Sequence, residues 1–224
     1  MGTAGYTIAS VGRYAEPLIV WDDFSPDPGA LRAAAAAAAF APAGQHYPGI
    51  RATLPPAYLE GQLPILTDAI RQVFGGGGIE VIDASFSVVT TPPAELTVRQ
   101  RLPHCDAFGA ERIALVHYLA PDDRDGTAFY RHRSTGFETV DGERAPIFFG
   151  QLEAELRHGQ LPPPAYVNGD TPLFEQMLAV PARYNRALIY RSWVLHSGAI
   201  APDAVLSPDP ATGRLTVTAF FSIS

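Results

Sequence analysis

The chain reads as an α+β protein dominated by strands: a curled antiparallel sheet buttressed by helices near the N-terminus. Three features predict this. Two segments with helical character come first. The later β-rich segments are separated by proline-rich loops, in a chain with 21 prolines and 20 glycines overall. With 224 residues, 47% hydrophobic and 17% charged, the chain can bury one sizeable core, so a single domain spanning 1–224 is expected.

Tyr14 to Trp21 predicts a short strand running into Asp22-Asp23. Asp27-Pro28 is a helix start, an N-cap candidate followed by proline at the first helical position, and the alanine run Ala33–Ala39 carries the helix to Phe40 before Pro42. His46 to Arg51 predicts a loop turning at Pro48-Gly49. Leu63, Leu66, Ile70, Val73 and Phe74 recur near helical spacing, ended by Gly75–Gly78. Residues 1–78 are therefore expected to be a helical support, and 79–224 a β core.

In that core, Ile79–Thr91, Ile113–Leu119, Arg186–Tyr190 and Arg214–Ile223 predict strands. Residues 131–183 form an insert with two expected helices: Pro146 to His158, and one starting at Asp170-Thr171-Pro172. The chain contains no repeat. A barrel-like jelly roll suits such short strands, but periodicity alone does not choose it over an open sandwich.

Composition excludes several functions. A formal net charge of −7, without clustered Lys and Arg, gives no nucleic-acid footprint. The single cysteine, Cys105, allows neither an internal disulfide nor a cysteine-rich zinc site. The N-terminus lacks the basic and apolar regions of a signal peptide, and no window reaches the length of a membrane span. A cytoplasmic protein without membrane attachment is the expectation.

The chemistry-bearing stretch is Leu102-Pro-His104-Cys105-Asp106. Read as a strand end, alternation places His104 and Asp106 on one face and Cys105 on the other, where it serves as a small buried hydrophobe. An imidazole and a carboxylate on one side can hold a divalent metal if one more histidine joins them, and His196 in Arg191-Ser-Trp193-Val-Leu-His196 is the candidate. On the final strand Arg214, Thr216, Thr218 and Phe220 share a face, opposite Leu215, Val217, Ala219 and Phe221. A cation between hydroxyls fits the wall of a pocket that receives a carboxylate.

The order His-x-Asp, distal His, then Arg on the last strand resembles the iron(II) and 2-oxoglutarate-dependent oxygenases, in particular their prolyl-hydroxylase-like branch. The resemblance covers Leu102–Ser224 and includes Tyr118-Leu119 and Gly126-Thr127-Ala-Phe129, with Asp125 where that branch has glycine. It implies a double-stranded β-helix (jelly roll). It also implies Fe(II) held by His104, Asp106 and His196, and 2-oxoglutarate whose far carboxylate pairs with Arg214 and meets Tyr118 and Thr218. The implied reaction is oxidative decarboxylation to succinate and CO2 coupled to hydroxylation of a substrate C–H. Related halogenases have a small residue in place of the carboxylate, so Asp106 favours hydroxylation. The substrate is a small molecule or a peptide side chain, and the oligomeric state is not legible.

Taken singly, each residue has an ordinary explanation. His104 and Asp106 are equally a polar pair at a turn, His196 a loop cap, Arg214 a solvated strand end, and Tyr118 and Thr218 core residues. A non-catalytic jelly-roll module, or a zinc hydrolase using the same three ligands, are the competing functions. His117, facing away from Tyr118, is expected to be structural, and His132 to lie in a solvated loop. His46, Arg51 and Trp193 are candidates for the substrate mouth.

Overall fold

The computed structural model describes residues 5–44, 46–121, 123, 125–204 and 206–224. In chain order the elements are β1 (Tyr6–Val11), β2 (Glu16–Trp21), α1 (Pro28–Ala37), β3 (Ala41–Pro42), β4 (Gly49–Thr53), α2 (Pro56–Phe74), β5 (Ile79–Val89) and β6 (Arg112–Tyr118). They continue with β7 (Gly126–His132), α3 (Arg144–Arg157), β8 (Phe174–Pro181), β9 (Ala187–Arg191), β10 (His196–Ala199) and β11 (Leu215–Ile223). The strands form two antiparallel sheets, a large one in the order β1-β2-β9-β6-β11-β5-β4-β3 and a small one in the order β10-β7-β8.

Alternation along β11 decides what each face of the large sheet does. Leu215, Val217, Ala219 and Phe221 join Ile113, Leu115, Phe86, Val88 and Ile189 in a core covered by Leu31 and Ala35 of α1 and Leu66, Ala69, Ile70 and Phe74 of α2. Burying a large side chain of this kind is worth about 1.5–3 kcal/mol, so this layer is what fastens the helices to the sheet. The opposite face packs against the small sheet through Leu18, Ala114, Tyr118, Leu188 and Tyr190 meeting Phe129 and Val180.

The helix at Asp27-Pro28 forms for the reason its sequence states. Asp27 Oδ1 accepts the Ala30 amide at 2.8 Å, and Pro28 occupies the first turn. Its small side chains bury Ala35 completely. The second helix begins at Pro56, before the first periodic leucine, because proline is as good a first helical residue there.

Three expectations are corrected. Residues 1–78 are not only a helical support: β1 to β4 lie within them and extend both edges of the large sheet. Strand β1, with Ile8 at 58% exposure, is an open edge strand with too little apolar alternation to announce itself. The helix expected at Asp170-Thr171-Pro172 is instead the turn into β8. Asp170 Oδ1 accepts the Gln176 amide (2.7 Å) and Thr171 Oγ1 the Phe174 amide (2.9 Å), bonds that a helix cap and a turn share. Pairing of β8 with β7 from Gly126↔Pro181 to His132↔Phe174 then decides for strand, so the 131–183 segment ends inside the small sheet.

Finally, His132 is fully buried rather than solvated: it closes β7, with Nε2 2.9 Å from Glu155 of α3 and Nδ1 2.9 Å from Thr135.

His117 is structural, as its strand parity requires. The Asn185 amide is fixed by Ser25, whose N–H donates to Oδ1 and whose carbonyl accepts from Nδ2, both at 2.9 Å. Asn185 Oδ1 therefore accepts from His117 Nε2 (3.0 Å), leaving Nδ1 to accept the Tyr58 hydroxyl (3.0 Å). Burial, opposed by the Asn185 bond, pushes this imidazole down to about 4. A histidine buried neutral stabilises the fold above its unfolded value near 6.5, and that contribution is lost as pH falls toward the folded value. Denaturant titrations at pH 7 and 4.5 are expected to show a smaller pH-dependent loss for His117→Gln than for wild type, by about 2 kcal/mol. Equal losses in the two proteins would contradict a neutral buried His117.

Candidate metal centre and ligand face

The two halves of the His-x-Asp motif are seated by the segment that carries the distal histidine. His104 forms a single antiparallel bridge with His196, its N–H donating to the His196 carbonyl (2.9 Å) and receiving the reverse bond at 2.8 Å. The Asp106 amide donates to the Ser192 carbonyl at 2.8 Å. There is no continuous strand here, so this bridge fixes the histidine while the Ser192 contact fixes the aspartate. Cys105 turns away and packs with Leu102, Leu195 and their neighbours.

One ligand-capable atom from each of His104, Asp106 and His196 lies within 4.8 Å of the other two. The carboxylate stands between the imidazoles, with Oδ1 3.6 Å from His104 Nε2 and Oδ2 3.3 Å from His196 Nε2. Adjacent ligands of an octahedral ion with bonds of about 2.1 Å are about 3 Å apart, so the spacing fits one face of a metal. His196 Nδ1 donates to the Val194 carbonyl at 2.8 Å, so Nε2, 3.3 Å from Asp106, is the nitrogen available to a metal. This donor set, two nitrogens and one carboxylate, suits non-haem iron(II).

The charges are consistent with a cation-ready site. Despite burial, the charge and hydrogen bond of His196, with His104 and Arg51, hold the Asp106 carboxyl below its ordinary value. Against the desolvation of its own buried ring, Asp106 and the Val194 carbonyl hold His196 above its ordinary value. His104, whose side chain keeps 54% of its surface open, is held low by desolvation on its protein side and by His196, against Asp106. His104 is the exposed member of the cluster, and His196 the buried one.

Arg214 stands immediately before β11. Its Nη2 donates to the Gly126 carbonyl (2.8 Å), its Nε lies 3.8 Å from Asp125 Oδ2, and its guanidinium lies over the Tyr118 ring at 5.6 Å. A side chain at Gly198, two residues along β10 from His196 and on the same face, would come within 3.8 Å of that Nη2. Tyr190 links the regions: its ring lies 4.9 Å from His196, and burial raises its phenol with Asp106, Tyr118 and Arg214 all acting on it. The Tyr118 hydroxyl shares a hydrogen with Thr127 (2.6 Å), and Thr218 with Ser87 (2.8 Å).

The sequence expectations divide as follows. His104, Asp106 and His196 meet; Arg214 and Tyr118 touch each other; Thr218 faces the same side from one turn of the pleat further on. His46 is exposed, and its structure adds nothing to the site. Trp193 has a buried Nε1 without a partner and carries Arg191 over its ring at 5.7 Å.

Ser85 and Ser87 escaped sequence reading; Tyr47 lies in the His46–Arg51 stretch expected near the substrate mouth. In register across the sheet, Arg51 pairs with Ser87, Ser87 with Thr216, and Thr216 with Tyr118; Ser85 pairs with Thr218. Buried atoms left without a partner include Tyr47 Oη, Arg51 Nε, Ser85 Oγ and Arg214 Nε. Such groups are costly to bury unpaired, and their concentration on one face marks a place prepared for a polar ligand.

A model of DUF6445, described as a family of unknown function, matches residues 3–221. No curated protein matches the sequence. Among solved structures, the chain is similar to SnoK, described as a non-heme alpha ketoglutarate dependent carbocyclase from nogalamycin biosynthesis. The TM-score is 0.50 and identity 14%, covering 98% of this chain and 79% of that one. It is also similar to HygX from Streptomyces hygroscopicus, solved with iron bound, with TM-score 0.51 and 10% identity over 93% of this chain and 83% of that one. At these identities the likeness establishes a shared fold.

Proposed function

The chain belongs to the DUF6445 family, whose function is unknown, and from the meeting of His104, Asp106 and His196 we propose that it is an Fe(II)/2-oxoglutarate-dependent oxygenase. Its two sheets then correspond to a double-stranded β-helix of the prolyl-hydroxylase-like branch, with β10-β7-β8 as the smaller wall. The most probing single observation is the geometry of the three ligands, drawn from segments 90 residues apart in sequence and joined by the His104–His196 bridge.

In this reading His104 Nε2, one Asp106 oxygen and His196 Nε2 hold Fe(II), and the Val194 carbonyl keeps the His196 tautomer correct. Arg214 receives the far carboxylate of 2-oxoglutarate, with its guanidinium oriented by the Gly126 carbonyl and Asp125. The Tyr118 and Thr218 hydroxyls lie on the face that carboxylate would meet, each able to add a hydrogen bond. The buried Arg214 Nε supplies the fit: among the described residues it has no hydrogen-bond acceptor, Asp125 standing 3.8 Å away. When bound, the metal and 2-oxo acid supply oxidative decarboxylation of the acid and oxidation of a substrate C–H by dioxygen. Phe129, Tyr190 and Val194 line the adjoining core and keep water from it.

Carboxylate retention at 106 favours hydroxylation as the outcome, on a small molecule or a peptide side chain. The arginine anchor favours this function over zinc hydrolysis, which needs no 2-oxo acid. The test is substrate-independent. Protein loaded anaerobically with Fe(II) is expected to convert 2-oxoglutarate to succinate when air is admitted, and to stop when either iron or oxygen is withheld. Absence of succinate under all conditions, with iron bound, would reject the proposal.

A further inference from the structure

The large sheet carries a second guanidinium that its own surroundings do not satisfy. Arg51 of β4 stands in register with Ser87, Thr216 and Tyr118, so it faces the same interior as Arg214. The Tyr47 ring backs its flat side, 4.8 Å from the guanidinium carbon, leaving the edge as the recognition surface. Its Nε is buried and unpartnered. The carboxylate that does approach is Asp83, 3.8 Å from Nη1 and 54% exposed, too distant for a hydrogen bond. Ser85 Oγ, one cross-strand row nearer Asp83 on the same face, is likewise buried without a partner.

Position separates this arginine from the anchor. Arg51 starts from the Ser87–Thr216 row, and both it and Arg214 act on the Tyr47 phenol; it leans along β5 toward Asp83, which pairs with Phe220 further along β11 from Arg214. Its side chain retains 29% of its surface, as a group at a mouth does.

We propose that Arg51, backed by Tyr47 and assisted by Ser85, is a carboxylate-binding subsite on the ligand face, distinct from the Arg214 anchor. This rests on the function proposed above and names the chemistry of what the site admits. The carboxylate belongs either to the oxidised substrate, which is then an organic acid, or to the 2-oxo acid.

The experiment uses the full chain loaded with Zn(II), which binds the same ligand types without turnover. Calorimetric titration with 2-oxoglutarate is compared for wild type, Arg51→Gln and Arg51→Lys. Then, at saturating 2-oxoglutarate, benzoate and N-acetylglycine are titrated against their amides. If the substrate supplies the carboxylate, the acids bind wild type about tenfold or more tightly than the amides, and Arg51→Gln removes the difference while 2-oxoglutarate binds as before. If the 2-oxo acid supplies it, Arg51→Gln weakens 2-oxoglutarate itself by about tenfold. In either case Arg51→Lys recovers only part, because a point charge replaces a planar edge. Ser85→Ala, which alters no charge and keeps the fold testable, is expected to weaken the same ligand by a few-fold. Acids binding no better than amides, together with unchanged 2-oxoglutarate binding in Arg51→Gln, would overturn the subsite. Failure of wild type to bind Zn(II) or 2-oxoglutarate would instead reject the oxygenase reading, and the acid-against-amide comparison on metal-free protein would still judge Arg51.

Discussion

Replacing Asp106 with alanine is expected to weaken metal binding by more than about 100-fold and to abolish 2-oxoglutarate turnover. The carboxylate lies between the two imidazole Nε2 atoms, 3.6 and 3.3 Å away, and is the site's only anionic ligand among the described residues. Without it, two neutral imidazoles remain. The same substitution removes the charge that raises His196, so that ring titrates lower in the variant. The readout is the weak visible absorption band expected of the anaerobic Fe(II)/2-oxoglutarate complex: present in wild type, lost in Asp106→Ala. Circular dichroism should be unchanged, since the Asp106 backbone bond to Ser192 survives the substitution. A variant that retains the band and full turnover would remove Asp106 from the ligand set.

Arg214→Ala is expected to weaken 2-oxoglutarate binding by on the order of 100-fold or more while leaving metal affinity nearly intact. Removing one partner of a buried charge pair costs about 3–5 kcal/mol, because the remaining charge is left desolvated and unpaired. Asp125, 3.8 Å from the arginine Nε, already neutralises part of that cation and places the effect toward the lower end. Titrating 2-oxoglutarate into the Zn(II)-loaded protein separates this loss from any effect on catalysis. Arg214→Lys recovers only part of the affinity, since the bond to the Gly126 carbonyl fixes a planar group that lysine does not replace. Unchanged binding in Arg214→Ala would move the anchor elsewhere, with Arg51 the next residue to test.

The meeting of His104, Asp106 and His196 was legible from residue type and alternation. The two residues flanking Cys105 point away from it, and a histidine far downstream was a candidate to join them. Strand parity likewise separated His117, bonded to Tyr58 and Asn185, from Tyr118, which faces Arg214. The capping of α1 by Asp27 is a contact between neighbours in sequence, and it formed as written.

What escaped was decided by distant pairing. Asp170 and Thr171 carry the signals of a helix cap, but β7 offered an unpaired edge and drew the following residues into β8. His132 has polar neighbours in sequence, and only Glu155 on α3 explains its full burial. Ser85 and Ser87 became visible as a wall only when β5 was placed in register between β4 and β11. Nothing in a serine or tyrosine taken singly distinguishes a lining residue from a core one.

A crystal structure of the iron-loaded protein, with anomalous data collected at the iron edge, tests the central assignment most directly. A single peak bounded by His104, Asp106 and His196 is the expected result. A fully loaded protein whose peak lies away from those three side chains would contradict it.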